Sequence, residues 1–185
     1  TATAAEGTVH PAAMGRAIQS VLDRDPNSVL VVDGGEIGQW AQACTRANRR
    51  IINGVAGSIG AGLPFALAAR TVERKAPVIA VVGDGTFGFH MAEIDTAVRH
   101  GLPVVIIIGN DARWNAEHQI QLRQYGAERA HGCSLLPSRY DKVAEALGGD
   151  REFVTRAADM PAALEKAIPS RLPAVINVMI EGHPA

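Results

Sequence analysis

The order of apolar runs and amphipathic stretches predicts an α/β fold: a doubly wound, mostly parallel sheet with helices on both faces. Three observations predict it. First, continuous β-branched runs at 28–33 (SVLVVD), 78–83 (VIAVVG) and 104–109 (VVIIIG) read as strands buried on both faces, as in parallel sheets. Second, stretches with helical periodicity separate these runs, so strand and helix alternate along the chain. Third, the runs end in glycines or polar pairs. That places loops of unusual composition at the carboxyl ends of the strands, where ligands bind in such folds.

Taken in order, residues 1–9 read as a flexible lead-in. Pro11 suits the first turn of a helix, and Met14, Ile18, Val21 and Leu22 share one face of it. The strand 28–33 runs into Gly34 and Gly35, followed by a helix at about 37–46 and a short strand at 50–53. A helix is predicted at 58–71, then the strand 78–83 and a helix at 89–100 with Met91, Ile94, Ala97 and Val98 on one face. The strand 104–109 leads to a polar stretch, 112–131. A helix near 139–147 is stopped by Gly148 and Gly149, and a strand near 152–155, a helix near 160–168 and a strand at 174–180 complete the pattern. No repeat or Pro/Gly/Ser linker divides the chain, so residues 1–185 are expected to form a single domain.

Composition narrows the function classes. Eighteen Lys and Arg against 19 Asp and Glu leave a net charge of −1, which argues against a protein built chiefly to hold nucleic acid or an anionic membrane. Aromatics at 4% make base-stacking platforms unlikely partners for single strands as well. Cys44 and Cys133 show no CxxC or Cys/His spacing and fit reduced thiols of an intracellular, cytoplasmic protein, with one disulfide left open. No apolar run approaches the roughly 18 residues of a membrane span. A first residue of Thr1 rather than Met is compatible with a processed product, an expressed fragment or one piece of a longer polypeptide.

The chemistry concentrates in two loops. Gly83-Asp84-Gly85-Thr86 follows a buried strand and precedes a helix. Its glycines permit a tight turn and close approach of backbone to a ligand, and the amides of Gly85 and Thr86 suit a phosphate. Asp84 then offers a hard oxygen to Mg²⁺. Alone, the motif equally describes an Asp-Gly turn capping a helix. Asn110-Asp111 lies one strand-helix-strand unit later, 27 positions after Asp84, so the two acids should emerge from successive parallel strands. Alone this pair is a turn signal; beside the first motif it points to a metal–phosphate site.

At this spacing Gly83-Asp84-Gly85 with Asn110-Asp111 resembles the thiamine-diphosphate motif, which opens with GDG and closes near a double Asn. VVDGGEIGQWAQA (31–43) resembles the segment that begins the cofactor domain of acetolactate synthases, and GSIGAGLPFALAA (57–69) resembles that family's GxMGxGLPAAIGA stretch. Glu93 and TAVRHGLPV (96–104) are similar again. The resemblance covers essentially the whole chain. It corresponds to the carboxyl-end diphosphate-binding module of pyruvate-oxidase and acetolactate-synthase type enzymes.

The resemblance implies Mg²⁺ ligation by Asp84, Asp111 and the backbone carbonyl of Arg113. It implies diphosphate contacts at Gly83, Gly85 and Thr86 with Gly35 close by, and cofactor contacts at Ser58 and Ile59. Ile59 matches the bulky apolar residue that props the cofactor in its bent shape, although by residue type alone it is an ordinary core residue. Where the family usually has Asn, this chain has Asp111, which adds a negative charge near the diphosphate.

The implied activity is that of a 2-oxo acid decarboxylase or carboligase, a lyase or transferase acting on a 2-oxo acid or acyl-CoA-type substrate. The activating glutamate is expected on a pyrimidine-binding domain, normally on a neighbouring subunit, so the active form would be a homo- or hetero-oligomer. Nothing in the 185 residues resembles that domain. The chain is therefore expected to be an excised carboxyl-terminal domain or a small subunit, inactive by itself.

Other readings stay open from the residues. The Gly-rich stretch 54–62 with Glu73 suggests a Rossmann-like dinucleotide- or phosphate-ligand-binding domain of an oxidoreductase, though it reads GxxGxxGxG rather than GxGxxG. A non-catalytic assembly module is the third reading. In 112–131, Trp114, Glu117, His118 and Gln119 are placed to face a substrate, or else the stretch is a solvated helix with Ile120 and Leu122 packing inward. His90 is expected to cap a helix or face solvent.

Overall fold

The structure, a computed structural model, describes residues 5–53 and 57–185. Six parallel strands form one sheet: β1 (Val29–Asp33), β2 (Arg49–Ile52), β3 (Val78–Gly83), β4 (Val105–Asn110), β5 (Asp150–Val154) and β6 (Ala174–Met179), in the spatial order β2-β1-β3-β4-β6-β5. Eight α-helices connect or flank them among the described residues: α1 (Pro11–Leu22), α2 (Glu36–Cys44), α3 (Gly62–Val72), α4 (Asp84–His90), α5 (Glu93–Arg99), α6 (Asn115–Tyr125), α7 (Tyr140–Ala146) and α8 (Met160–Ala167). The doubly wound α/β architecture expected from the sequence is the one observed.

The strands read as unbroken apolar runs because both of their faces are covered. Leu30, Val32, Ile79, Val81, Val105 and Ile107 pack against α1, α2 and α8. Val29, Val31, Val78, Ala80, Ile106 and Ile108 pack against α3, α4, α5 and α7. Successive residues such as Ile106, Ile107 and Ile108 are thus all fully buried, each contributing about 1.5–3 kcal/mol over an exposed position. The edge strand β2 carries Arg49 and Arg50 and is largely exposed, charges that discourage pairing with another sheet.

From β1 the chain moves outward to β2, then returns across β1 to β3. The loops after β1 and β3 therefore diverge and open a crevice at the switch point. Register brings the strand ends level there: Asp33 pairs with Val82, and Gly83 with Gly109.

Several boundaries differ from the sequence expectations. The lead-in expected over 1–9 ends before Val9, which is fully buried, donates its N–H to Met179 O at 2.8 Å and bridges to Ile180. The helix expected at 58–71 begins only at Gly62, after an irregular turn at 57–61. The helix expected at 89–100 is two helices. Helix α4 starts at Asp84, directly after β3, and a turn at Met91 and Ala92 separates it from α5, leaving Met91 exposed rather than on a shared buried face. The polar stretch 112–131 holds α6 and a 3-10 turn at Ala127–Arg129. Neither Cys44 nor Cys133 is paired.

A buried polar cluster braces the far side of β4 and β6. The carboxylate of Asp141, fully buried on α7, accepts from Arg139 Nε and Nη2 at 2.8 and 2.7 Å. Asn177 on β6 donates to the Ser138 carbonyl at 3.0 Å and to Asp141 Oδ1 at 3.4 Å. Burial alone would raise the Asp141 carboxyl, but the Arg139 and Asn177 hydrogen bonds outweigh it and hold it below the ordinary value. Asp141→Ala leaves Arg139 and Asn177 without this acceptor and is expected to cost about 2–4 kcal/mol in urea denaturation. Glu165→Ala removes only a surface ion pair with Arg24 and is expected to cost less than about 1 kcal/mol in the same measurement.

Candidate functional site

Three loops converge at the carboxyl ends of β1, β3 and β4. The first, Gly34 and Gly35, turns directly into α2. The second is the first turn of α4, whose residues Asp84, Gly85, Thr86 and Phe87 are all buried. The third follows Asn110 and turns sharply at Ala112, a non-glycine residue with φ of +54°. That left-handed conformation ordinarily disfavours a side chain. Here the Ala112 N–H is held by Asn110 Oδ1 at 3.1 Å, and Asn110 Nδ2 donates to Ser138 O and Asn177 Oδ1 at 3.0 and 3.2 Å. The reversal brings the Arg113 N–H to Asp84 Oδ2 at 3.2 Å, closing the third loop onto the second.

One cleft lies between these loops. Gly35, Ile59, Gly83 and Asp84 line it, as do Gly85, Thr86, Asp111 and Arg113. Eight of the residues singled out in the sequence thus come together. Ser58 does not join them: it is exposed and outside the lining. Trp114 and Glu117 also line the cleft, whereas His118 and Gln119 do not, and Gln119 instead donates to Asn115 Oδ1 at 3.2 Å. Ile120 is exposed and Leu122 only half-buried, so the inward packing considered for them is at most partial. Helix α6 buries only Asn115, consistent with its polar sequence.

The glycine of the GDG motif that matters most works by space rather than by φ. Gly83 has a φ of −79°, and Gly85 lies within the helix. A Cβ on Gly85 would stand 2.5 Å from the Trp114 ring, which therefore lies directly over the motif. Phe89 meets the same ring edge to face at 5.8 Å.

The electrostatics of the cleft are unbalanced. Burial pushes the Asp84 carboxyl up to about 6, against the opposing pull of the Gly85 and Arg113 amides. Burial and the neighbouring charge of Asp84 push Asp111 up to about 7, against the opposing charge of Arg113. Two carboxylates that resist ionising side by side are the counterpart of a divalent cation. No cluster of three or more His, Cys, Asp or Glu side chains able to hold a metal occurs among the described residues. The two carboxylates offer hard oxygens, and a pair of protein ligands leaves positions for a backbone carbonyl, phosphate oxygens and water. This suits Mg²⁺, which keeps such ligands, and not the nitrogen and sulfur set of zinc. The glycine cradle and this donor set fit a metal-bound diphosphate.

Two features were missed in the sequence. Asp33 reads there as the end of a strand, yet its buried carboxylate accepts from the amides of Gly34, Gly60 and Gly62 at 2.7, 2.9 and 2.7 Å. His90 is exposed, as expected, but its Nδ1 lies 2.7 Å from the Gly60 carbonyl. The contacts to Gly60 and Gly62 have no local signature, because they join residues 27 to 30 positions apart. Of the 54–62 stretch behind the dinucleotide reading, residues 54–56 lie outside the described residues. Glu73 follows α3, leading into the amino end of β3 away from the cleft. Hydrogen bonds from Arg49 and from the amides of Lys75 and Ala76 hold its carboxyl down to about 2.

Comparison with known proteins agrees with the geometry. The profile of the thiamine pyrophosphate enzyme C-terminal TPP binding domain matches residues 33–178. The chain is 36% identical over 177 residues to the acetolactate synthase large subunit IlvG of Mycobacterium tuberculosis, covering 94% of this chain and 32% of that protein. It is 38% identical over 145 residues to 2-hydroxyacyl-CoA lyase 2 of Bos taurus, covering 76% of this chain and 23% of that protein. In fold it resembles the Rhodococcus jostii RHA1 thiamine diphosphate-dependent 4-hydroxybenzoylformate decarboxylase, with a TM-score of 0.88 and 20% identity over 98% of this chain and 34% of that one. The chain therefore spans about a third or less of the length of these relatives.

Two outcomes follow from the cleft. Because a proton on Asp84 or Asp111 is favoured by the fold, metal-free stability is fully present below the ordinary carboxylate range. It declines as pH rises, until both groups are ionised above about 7. Asp111→Asn removes one of these charges and is expected to stabilise the metal-free protein at pH 8 by about 1–3 kcal/mol, with a much smaller effect at pH 4, in denaturation curves at the two pH values. Gly85→Ala forces the Trp114 ring away and is expected to cost about 1–3 kcal/mol, with a red shift of tryptophan emission as that ring meets water.

Proposed function

The chain belongs to the thiamine pyrophosphate enzyme family, as its C-terminal TPP-binding domain, and from that premise we propose that it holds the diphosphate of thiamine diphosphate through Mg²⁺ in the cleft at the ends of β1, β3 and β4. The observation that carries the proposal is the meeting of Asp84 and Asp111 in one desolvated cleft beside a glycine-lined helix turn, with no cluster of three or more metal-binding side chains among the described residues.

In this reading Asp84, Asp111 and the Arg113 carbonyl hold the cation. The first turn of α4 at Gly83, Gly85 and Thr86 receives the diphosphate, and Gly35 leaves room for it at the start of α2. Ile59 supplies an apolar wall on the opposite side. When bound, thiamine diphosphate supplies the electron sink for breaking or forming a carbon–carbon bond next to a carbonyl group. The protein's share is to fix the diphosphate, to keep water away from it with Trp114 and Ile37, and to set the direction in which the rest of the cofactor leaves the cleft. Ser58 is exposed and outside the cleft lining, so in this reading any contact it makes with the cofactor would lie outside the cleft.

The wider activity we infer is that of an acetolactate-synthase-like lyase or transferase, decarboxylating or ligating a 2-oxo acid or cleaving an acyl-CoA-type substrate. A cytoplasmic location and an oligomeric active form belong to the same inference. In this reading a pyrimidine-binding domain or subunit would contribute the glutamate that activates the aminopyrimidine. By itself the 185-residue chain is then expected to bind the cofactor weakly and to turn over no 2-oxo acid.

Calorimetric titration tests the assignment. Asp84→Ala is expected to abolish Mg²⁺-dependent binding of thiamine diphosphate, while Asp111→Asn preserves it. Unchanged binding by the Asp84 variant would overturn the proposal.

A further inference from the structure

Ile59 reaches the cleft from a turn that belongs to neither of the two metal-bearing loops, and the turn is held at a single residue. Gly60 has a φ of +110°, a conformation that L side chains rarely adopt. Its N–H is accepted by Asp33 Oδ2 at 2.9 Å, and the same oxygen accepts the Gly62 N–H at 2.7 Å. On the other side of the turn, His90 Nδ1 approaches the Gly60 carbonyl at 2.7 Å. A carbonyl only accepts, so Nδ1 carries the proton and donates to it. Asp33 is almost wholly buried at the end of β1, and His90 ends α4, the helix that opens with Asp84.

Asp33 meets backbone amides alone: among the described residues its carboxylate makes no ion pair, and its hydrogen bonds are those from Gly34, Gly60 and Gly62. A buried carboxylate with three amide donors fixes their positions strongly, since charge-assisted bonds in a desolvated site are short and directional. The space around Gly60 is filled as tightly. A Cβ there would meet Phe89 Cβ at 3.1 Å and His90 Nδ1 at 3.4 Å. Gly60 is thus gripped from β1 through its N–H and from α4 through its C=O.

We propose that Asp33 and His90 are positioning residues that clamp Gly60 through the two peptide groups flanking it, so that Ile59 stands at a fixed height over the helix turn that receives the diphosphate. The inference rests on the cofactor reading given above and extends it. The metal-bearing helix and the apolar wall are one rigid unit, joined through Gly60, and the wall registers the organic part of the cofactor rather than its phosphates. Neither residue touches the ligand. Their effect is confined to ligands that extend from the diphosphate toward Ile59.

That confinement separates positioning from general structural support. Binding of Mg²⁺ with thiamine diphosphate, and of Mg²⁺ with inorganic diphosphate, is measured by calorimetry on the full chain for the wild type, His90→Ala and Asp33→Asn. Amide hydrogen exchange at Gly60 and thermal unfolding are recorded in parallel. His90→Ala, which removes one hydrogen bond at an exposed side chain, is expected to weaken thiamine diphosphate binding about fivefold. Asp33→Asn, which removes a charge-assisted acceptor, is expected to weaken it about tenfold or more. Inorganic diphosphate is expected to stay within about twofold of wild type for His90→Ala, and Gly60 exchange to accelerate in both variants. His90→Ala keeps the test decisive if Asp33→Asn does not fold. Folded variants that weaken both ligands alike, or neither, would overturn the clamp while leaving the cofactor reading intact. A wild-type chain that binds neither ligand would overturn the cofactor reading, and the clamp with it.

Discussion

Two carboxylates, Asp84 and Asp111, share one cleft where burial makes both harder to ionise, and the charge of Asp84 adds to the cost at Asp111. Left alone, that pairing opposes folding at neutral pH. A divalent cation reverses its sign, because the charge that repels a second carboxylate is the charge that binds a metal. The pairing arises from the sheet. Strands β3 and β4 are neighbours with Gly83 opposite Gly109, so residues that follow them emerge side by side. Parallel pairing and a crossover helix between the strands make that proximity unavoidable once the two apolar runs are buried.

The remaining loops hold the two acids in that relation. Asn110 fixes the left-handed turn at Ala112 and is itself held by Ser138 and Asn177, which leads on to Asp141 and Arg139. On the other flank Asp33 and His90 tie the 57–61 turn to β1 and α4. Buried polar side chains thus meet backbone amides and carbonyls on both sides of the cleft, and few of them face it. Such supporting contacts set the precision of a metal or diphosphate site as much as the ligands do.

The fold was legible because its dominant signal is local. Strands buried on both faces leave continuous β-branched runs, and the glycines and acids after 83 and 109 stand out against them. The meeting of the two acids was legible for the same reason, since Asp84 and Asp111 lie at or just after the ends of those runs. What could not be read depends on contacts made across the fold. Asp33 looks like a strand end until the amides of Gly60 and Gly62 arrive from 27 and 29 positions away. Gly85 reads as a turn residue, whereas its lack of a side chain accommodates Trp114. The break at Met91 and Ala92 left the helical period of 89–100 intact in the sequence and so gave no sign of itself. Ser58, adjacent to Ile59 in sequence, is exposed and does not line the cleft.

The most direct measurement is a crystal structure of the chain grown with Mg²⁺ and thiamine diphosphate. The expected result is one octahedral cation about 2.1 Å from a carboxylate oxygen of Asp84, one of Asp111 and the Arg113 carbonyl, with two phosphate oxygens completing the contact to the cofactor. A diphosphate bound elsewhere, or in this cleft with its cation away from Asp84 and Asp111, would contradict it.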